Sequence, residues 1–463
     1  MVIVSSRTEF SFYRQSDLVM KLHFPNESSS ERRAFLRSSA MATVAIPLVA
    51  QLSQANDADP NAIGIIGVGG MGMNHLKQLA RRTDVSIAYV CDVDRNRLQN
   101  AVKTVQEISG KAPKAVNDLR EVLIDEKVQA VFIATPDHWH APAAILSLNA
   151  GKHVYVEKPC CHNLREGQLL QDAVEKSGKI LQVGTQSRST GFVREAIDRL
   201  RKGAIGKVLV AKAWNSQRRG SIGREQPAAP PAELDFDTWL GPAQKVAYRK
   251  NLLHGVWRWW HDFGCGDMGN DGVHDIDVAL WGLGVKAFPT KVTCIGNKLF
   301  FDDDQQFPDT QYAVMEFDDA SANRGIVQLI FEQRIWTPYV QEGYENGAAF
   351  YGTEGCLILG HSVGWKLYGP KNKLLDERQG SSDLVAHHQN FFDAMRGVSP
   401  STNADIAAGR LSAAVVHLAN IAARVGRALA VDPATHKIVG DVEANSLVQR
   451  KYRDGHWSVP SGA

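Results

Sequence analysis

The chain has 463 residues, too many for one ordinary core and enough for two or three domains. A net charge of +2, with 44% hydrophobic and 22% charged residues, fits an ordinary soluble globular protein and argues against a phosphate-binding basic surface, hence against nucleic acid as a partner. The six cysteines, Cys91, Cys160, Cys161, Cys265, Cys294 and Cys356, lack C-x-x-C spacing and read as buried free thiols rather than a zinc or redox site.

Glu31-Arg32-Arg33-Ala34-Phe35-Leu36-Arg37 precedes an apolar stretch from Ala40 to Leu52. A bilayer span needs about 20 residues, so this run suits a signal-peptide core instead. The arginine pair reads as a twin-arginine export signal, with small residues at Ser53-Gln54-Ala55 for cleavage and Ala50 or Ala58 as alternatives. That reading makes the twin-arginine translocase a transient partner and the periplasm the destination. The residues before Ser28 are long for such a signal, which points to translation starting at Met20. The competing reading is a basic arm with a chance arginine pair. No transmembrane segment or internal repeat is seen.

From Ala62 the pattern becomes strand, tight turn, helix, strand. Ala62–Ile66 is a buried-type strand, Gly67-x-Gly69-x-x-Gly72 the turn, and Met73–Arg82 a helix leaving it. One glycine permits the turn, one lets backbone approach a pyrophosphate, and one lets helix and strand pack closely. The strand Val85–Cys91 ends in Asp92, twenty residues after Gly72, where an acid accepts hydrogen bonds from ribose hydroxyls. NAD is therefore the expected cofactor, and Arg95 and Arg97 leave NADP open. Cofactor contacts are expected from Gly67, Gly69, Gly70, Met71, Gly72 and Asp92.

Helices at 95–109 and 117–125 lead to the strand Ala130–Ala134, which ends in Thr135-Pro136-Asp137-His138-Trp139-His140. Asp137 reads as the N-cap of a helix reaching Ala150, and Thr135, Pro136, Asp137 and His140 also face the expected nicotinamide. Next comes Val154-Tyr155-Val156-Glu157-Lys158-Pro159, a strand delivering a lysine at the sheet's carboxyl edge, where open α/β sheets bind ligands. A helix (164–176) and a strand (179–183) follow, with Thr185 and Gln186 at its end; Glu157, Lys158 and Gln186 join the cofactor set.

Beyond Gly206, alternating strands at 207–214, 291–295, 311–317, 325–331 and 348–351 suggest a largely antiparallel sheet. Between the first two lie a Gly/Pro/Arg-rich loop, 218–231, and the tryptophans Trp239, Trp257, Trp259 and Trp260, which serve burial or stack on a sugar ring. Helices at 383–395 and 405–425 complete the unit; His387 and His388 on the first read as core or surface residues. A glycine-rich approach, Gly264 to Gly272, should become helical from Asn270, putting Asn270, His274 and Asp277 on one face and turning Asp271 elsewhere. A histidine presented there can take the proton of an alcohol as hydride leaves carbon, while Lys158 steadies alkoxide character. A metal site or a purely structural histidine are the alternatives; the helix places one histidine only, so no metal is expected.

The glycine turn, Glu157-Lys158-Pro159, the Gly/His helix, Tyr351-Gly352-Thr353-Glu354-Gly355, and Glu443-Ala444-Asn445 through Tyr452-Arg453 together resemble the Gfo/Idh/MocA oxidoreductases, which include glucose–fructose oxidoreductase and inositol dehydrogenases. The resemblance covers the chain from about Asn61. It implies an α/β fold: an N-terminal Rossmann dinucleotide-binding domain plus a C-terminal α/β domain with a large, mostly antiparallel open sheet that pairs in dimers or tetramers. The expected division is 1–57 signal and linker, 58–184 Rossmann, 185–426 substrate and oligomerisation domain, and 427–463 a tail packing on both. The family's catalytic lysine maps to Lys158 and its histidine to His274. Its usual aspartate is Asn270 here, leaving that residue to orient substrate beside Trp257, Arg258 and Asp271. The implied activity is NAD(P)-dependent oxidation of a sugar, glycoside or cyclitol hydroxyl with a tightly held nucleotide. Two other activities remain open: a glycosidase or lyase working through transient oxidation, and a non-catalytic sugar sensor.

Overall fold

The structure, a computed structural model, describes residues 61–319 and 324–463; the export signal, its cleavage site and the Met20 start lie outside these residues. The first sheet comprises β1 (Asn61–Ile66), β2 (Val85–Cys91), β3 (Lys114–Val116), β4 (Ala130–Ile133), β5 (His153–Val156) and β6 (Leu181–Val183). Its spatial order is β3-β2-β1-β4-β5-β6, and every pair is parallel. Between them run α1 (Gly70–Leu79), α2 (Arg95–Ser109), α3 (Leu119–Leu123), α4 (Asp137–Asn149) and α5 (Leu164–Ser177). Continuous apolar runs such as Ala130–Ile133 are buried throughout, as a sheet covered on both faces requires. The order reverses between β1 and β4, which opens a crevice at the strands' carboxyl ends.

Local chemistry sets the helix ends. Asp94 caps α2 by accepting from the N–H groups of Asn96 and Arg97, and Asn163 caps α5 through Glu166. Gly110 and Gly178 close these helices in the left-handed conformation. The expected Asp137 cap is a correction: Pro136 occupies the cap position, no side chain caps α4, and Asp137 is its first residue. Proline fixes the backbone there, so the carboxylate is released from capping and turns inward, 4% exposed.

The second sheet holds β7 (Val208–Asn215), β8 (Lys291–Asn297), β9 (Thr310–Asp318), β10 (Ile326–Arg334), β11 (Asn346–Gly352), β12 (Cys356–Gly360), β13 (Gly364–Gly369), β14 (Lys373–Gln379), β15 (Leu429–Asp432) and β16 (Lys437–Ile438). Its order is β14-β13-β12-β11-β7-β10-β9-β8-β15-β16, antiparallel except for β7 against β10. The helices are α6 (Gly191–Arg201), α7 (Phe236–Leu240), α8 (Val273–Leu283), α9 (Leu384–Met395), α10 (Ile406–Val425) and α11 (Val442–Ser446). The inner face, with Val327, Leu329 and Phe331 of β10, is buried beneath α8 and α10. The other face leaves Ile295, Tyr312, Val314 and Ile326 exposed. Among the described residues α10 alone is long and apolar enough to cross a membrane, and it lies in the core.

One outcome differs from the sequence pattern. Part of the expected C-terminal tail forms β15 and β16, pieces too short to show alternation. His387 and His388 are core residues: His387 Nε2 faces the Val183 carbonyl at 3.0 Å, and His388 Nε2 lies 2.8 Å from His75 Nδ1. All cysteines but half-buried Cys356 are buried free thiols.

The close seat of α8 on the sheet is testable. A methyl added at Gly282 would lie 2.1 Å from the Phe350 ring on β11. Gly282→Ala is expected to cost ~1–3 kcal/mol by overpacking, lowering the urea midpoint at unchanged slope; an unchanged midpoint would refute that packing.

Candidate active site

The crevice of the first sheet continues into a cavity of about 590 Å³ between that sheet's carboxyl edge and the segment leading into α8. Gly67 turns the chain at φ 83°, and a side chain there would meet the Ala134–Thr135 backbone at 2.8 Å. Gly72 packs behind the wall: a Cβ would lie 1.9 Å from the Gly67 carbonyl oxygen. The turn is thus tight because two backbones nearly touch, which only hydrogen side chains allow. Gly69 caps α1 without a side-chain bond, and the first turn carries no acid, so the helix's positive end opens onto the cavity.

Asp92 sits beside it. Its Oδ2 accepts from the Val68 N–H at 2.8 Å and its Oδ1 from the Asp94 N–H at 2.9 Å, fixing the carboxylate while leaving lone pairs toward the cavity. Burial pushes its pKa up, against those two N–H groups and the Arg97 charge. The Thr135 hydroxyl oxygen is buried without a partner on the same wall. A bare helix N-terminus for a pyrophosphate, a fixed carboxylate for ribose hydroxyls and an orphaned hydroxyl fit a dinucleotide. Gly67, Gly69, Gly70, Met71, Asp92, Thr135, Pro136, Asp137, His140, Glu157, Lys158 and Gln186 all line the cavity. His140 ties its loops, with Nδ1 2.7 Å from the Pro159 carbonyl and Nε2 2.9 Å from that of Thr135.

Glu157, at the end of β5, is 4% exposed. Its Oε1 meets His75 Nε2 and accepts from Gln186 Nε2, both at 3.0 Å, and a methyl on Gly184 would strike its oxygens at 2.5 Å. Burial alone would raise its pKa, but the His75 hydrogen bond and the charges of His75, Lys158 and His274 bring it down to about 2. With its predecessor clamped, Lys158 extends across the cavity and donates from Nζ to the Asn270 carbonyl at 2.5 Å.

The opposite wall corrects the expected helix register. Met268–Gly272 forms a π-helical turn before α8. Its wider ladder brings the consecutive residues Asn270 and Asp271, together with His274, onto the cavity. Asp271 therefore faces the site, whereas Asp277 points into the core, holding Arg188 at 2.7 and 2.9 Å and accepting from Ser412. Asn270 spends both ends of its amide: Oδ1 accepts from Arg258 Nε at 2.7 Å and Nδ2 donates to Asp267 at 3.0 Å. Its side chain positions Arg258 rather than standing free for a ligand. Burial would raise Asp271, but the charges of Lys158, Arg219 and His274 and an Arg219 hydrogen bond lower it to about 2. His274 is 9% exposed and lines the cavity, and its ring makes no hydrogen bond among the described residues. No trio of metal-ligating side chains occurs among those residues.

Of the tryptophans, Trp257 and Trp239 line the cavity; Trp257 lies beneath the Arg258 guanidinium at 4.4 Å. Trp259 is buried, and Trp260 donates to the Asn251 carbonyl. The segment between β7 and α8 roofs the adenosine end: Arg95 N–H donates to Glu233, Asp235 N–H to Val93, and His254 Nε2 lies 3.0 Å from Asp94. The tail adds Trp457, under the Arg120 guanidinium at 4.3 Å. Sequence reasoning missed Asn117, Leu119, His254 and Trp457, which reach the site only through long-range folding.

Two outcomes test this geometry. Gly72→Ala is expected to abolish NAD binding in a fluorescence titration, because the turn must open to admit the methyl; retained affinity would refute the close approach. Glu157, with its lowered folded pKa, stabilises the fold fully above its unfolded value of 4.5, and that contribution disappears as pH falls through about 2. The unfolding free energy of Glu157→Gln should therefore lie below wild type at neutral pH, with the gap closing between pH 4.5 and 2; a pH-independent gap would contradict the clamp.

Residues 62–185 match the family description "Oxidoreductase family, NAD-binding Rossmann fold", and residues 207–325 and 373–459 match its C-terminal alpha/beta domain. scyllo-Inositol 2-dehydrogenase (NAD(+)) of Bacillus subtilis is 28% identical over 71% of this chain and 80% of its own. Glycosyl hydrolase family 109 protein 1 of Shewanella sp. is 30% identical, but over 33% of this chain and 34% of its own, so the chain spans about a third of that relative's length. Among solved structures, the WlbA dehydrogenase from Bordetella pertussis in complex with NADH and UDP-GlcNAcA superposes with a TM-score of 0.61 at 18% identity, covering 81% of this chain and 99% of that one. Levoglucosan dehydrogenase in complex with NADH gives 0.60 at 19% identity over 79% and 98%. Those likenesses establish the fold, and the two matches, spanning well over half the residues, establish descent: the chain belongs to the Gfo/Idh/MocA oxidoreductase family, with an NAD-binding Rossmann domain.

Proposed function

We propose that this protein oxidises a hydroxyl group of a sugar, glycoside or cyclitol with a nicotinamide nucleotide that it keeps bound. One observation carries the reading: Lys158, Asp271 and His274 converge at one end of the cavity whose other end is the glycine turn and Asp92. When bound, the nucleotide supplies a hydride acceptor at its nicotinamide C4. His274, without a protein partner, takes the hydroxyl proton. Lys158, already anchored on the Asn270 carbonyl, directs a remaining N–H at the same oxygen and stabilises alkoxide charge. Asp271, an anion held by Arg219, accepts hydrogen bonds from a neighbouring hydroxyl, and Trp257 offers an apolar face to the ring. Fixed Asp92 favours NAD over NADP, because a 2′-phosphate would face a carboxylate.

Retention is supported by the roof over the adenosine end, built from the β7–α8 segment and Trp457. It agrees with export in folded, loaded form by the twin-arginine route to the periplasm, where a free nucleotide pool is lacking; Arg32-Arg33 supports that destination. The exposed Ile295, Tyr312, Val314 and Ile326 support pairing of the open sheet in a homodimer or homotetramer. A second reading has a specific basis in the family 109 relative: the same residues would oxidise a glycoside transiently, eliminate its leaving group and end without net redox change.

The deciding experiment is to purify the mature protein without added nucleotide, record its near-ultraviolet absorbance and add a panel of sugars, glycosides and cyclitols. Reduction of bound nucleotide by one class supports the hydroxyl-oxidising reading; leaving-group release without net reduction favours the eliminating one. An empty protein would overturn cofactor retention. Lys158→Ala and His274→Ala are each expected to slow reduction by ~10²–10⁴-fold, and Trp457→Ala to release nucleotide on gel filtration.

A further inference from the structure

Behind His274 stands a second histidine that hydride transfer does not use. His361 lies in the turn between β12 and β13, beside the start of α8. Its Nδ1 is 3.0 Å from Asp275 Oδ1, and its ring meets that of His274 at 5.2 Å between centroids and 78° between planes. Asp275 is 1% exposed, its Oδ2 has no partner, and His361 supplies its only hydrogen bond among the described residues. A carboxylate buried so deeply is costly unless a cation balances it. The His361 side chain, 26% exposed, is placed to be that cation and to exchange its proton with solvent.

Resting on the hydroxyl-oxidising reading above, we propose that His361, held by Asp275, is a positioning residue for His274: it wedges the ring against the cavity wall and sets a positive charge beside it that keeps His274 neutral, as a proton acceptor must be.

The groups around the pair pull both ways, and burial pushes Asp275 itself up against the His361 charge and hydrogen bond. Burial drives His274 well below its ordinary pKa, the charges of Lys158 and His361 add to that, and Asp271 and Glu157 oppose it. His361 moves the other way: burial would lower it and Lys158 adds to that, but the charge and hydrogen bond of Asp275, with the charge of Asp271, raise it above 6.5. Arg219, which holds Asp271, completes the charged shell. Its raised folded pKa makes the His361 contribution complete below its unfolded value and lost as pH climbs through the folded one. The charge is thus present where His274 is in danger of protonation, on the acid side.

The test uses histidine-labelled holoprotein, with bound nucleotide, in an NMR titration of the His274 ring that needs no substrate. His361→Gln, and the isosteric Asp275→Asn should the first not fold, are expected to raise the His274 titration midpoint by about one pH unit, the order of a unit charge some 5 Å away at a high effective dielectric. With a substrate in hand, the acid limb of the rate profile should move to higher pH by the same amount, and His361→Lys, which keeps a cation, should restore it. An unmoved midpoint in both variants overturns the proposal. A moved midpoint in a protein whose bound nucleotide none of the tested sugars, glycosides or cyclitols reduces leaves the coupling standing and sinks the hydroxyl-oxidising reading instead.

Discussion

A single buried carboxylate organises this site. Glu157 cannot shift: His75 and Gln186 hold one oxygen, the Lys158 N–H donates to the other, and Gly184 is pressed against both. An ion buried so completely is tolerable only with its hydrogen bonds made, so the loop after β5 has one acceptable conformation. That conformation sends the lysine of the next residue over the cavity to the Asn270 carbonyl. His75 relays the constraint to His388 on α9, so the second half of the chain helps to fix a side chain of the first. The clamp is itself charged and paired, which makes the lysine's direction a property of the fold rather than of a flexible four-carbon stem.

What the sequence disclosed, and what it hid, follows from the range of each interaction. The first sheet was legible because its signals are local: apolar runs of four to seven residues, glycines where backbones collide, and caps such as Asp94 and Asn163. Asp92 and Lys158 were legible for the same reason, since a strand's end is a place in the sequence as well as in space. An assumed α-helical register turned Asp271 away from the cavity, although the family resemblance set it in the substrate group; the π turn widens the ladder by one residue, and no side-chain pattern announces it. The Asp137 cap failed to the proline beside it. His254 and Trp457 approach Asp92 from more than 150 residues away in sequence, and only closure of the second sheet brings them there.

The π turn also alters what Asn270 means. Read as a replacement for the family's usual aspartate, it looks like the loss of an acid. Its amide instead links Arg258 to Asp267, while the shifted ladder presents the next residue, a true carboxylate, to the cavity. The widened ladder thus sets an acid at the cavity wall beside His274. Asp267, 0% exposed, anchors the exchange, bonded also to Asn215 and Arg219. The arginine spans both acids and so balances two charges with one cation, leaving Lys158 to act toward the ligand.

The two ends of the cavity answer different demands. The end at the glycine turn is a matter of close approach and backbone N–H groups, and His254 of the β7–α8 segment and Trp457 of the tail line it. The other end is electrostatic: Lys158, His274 and His361 crowd positive or potentially positive groups around two carboxylates, Asp271 and Asp275. Crowding of that kind costs stability unless the cations differ in their readiness to hold a proton. Here they do differ: burial and the neighbouring cations push the His274 ring at the cavity down, while Asp275 raises the His361 ring behind it. The contrast is built from only two elements, the start of α8 and the turn after β12.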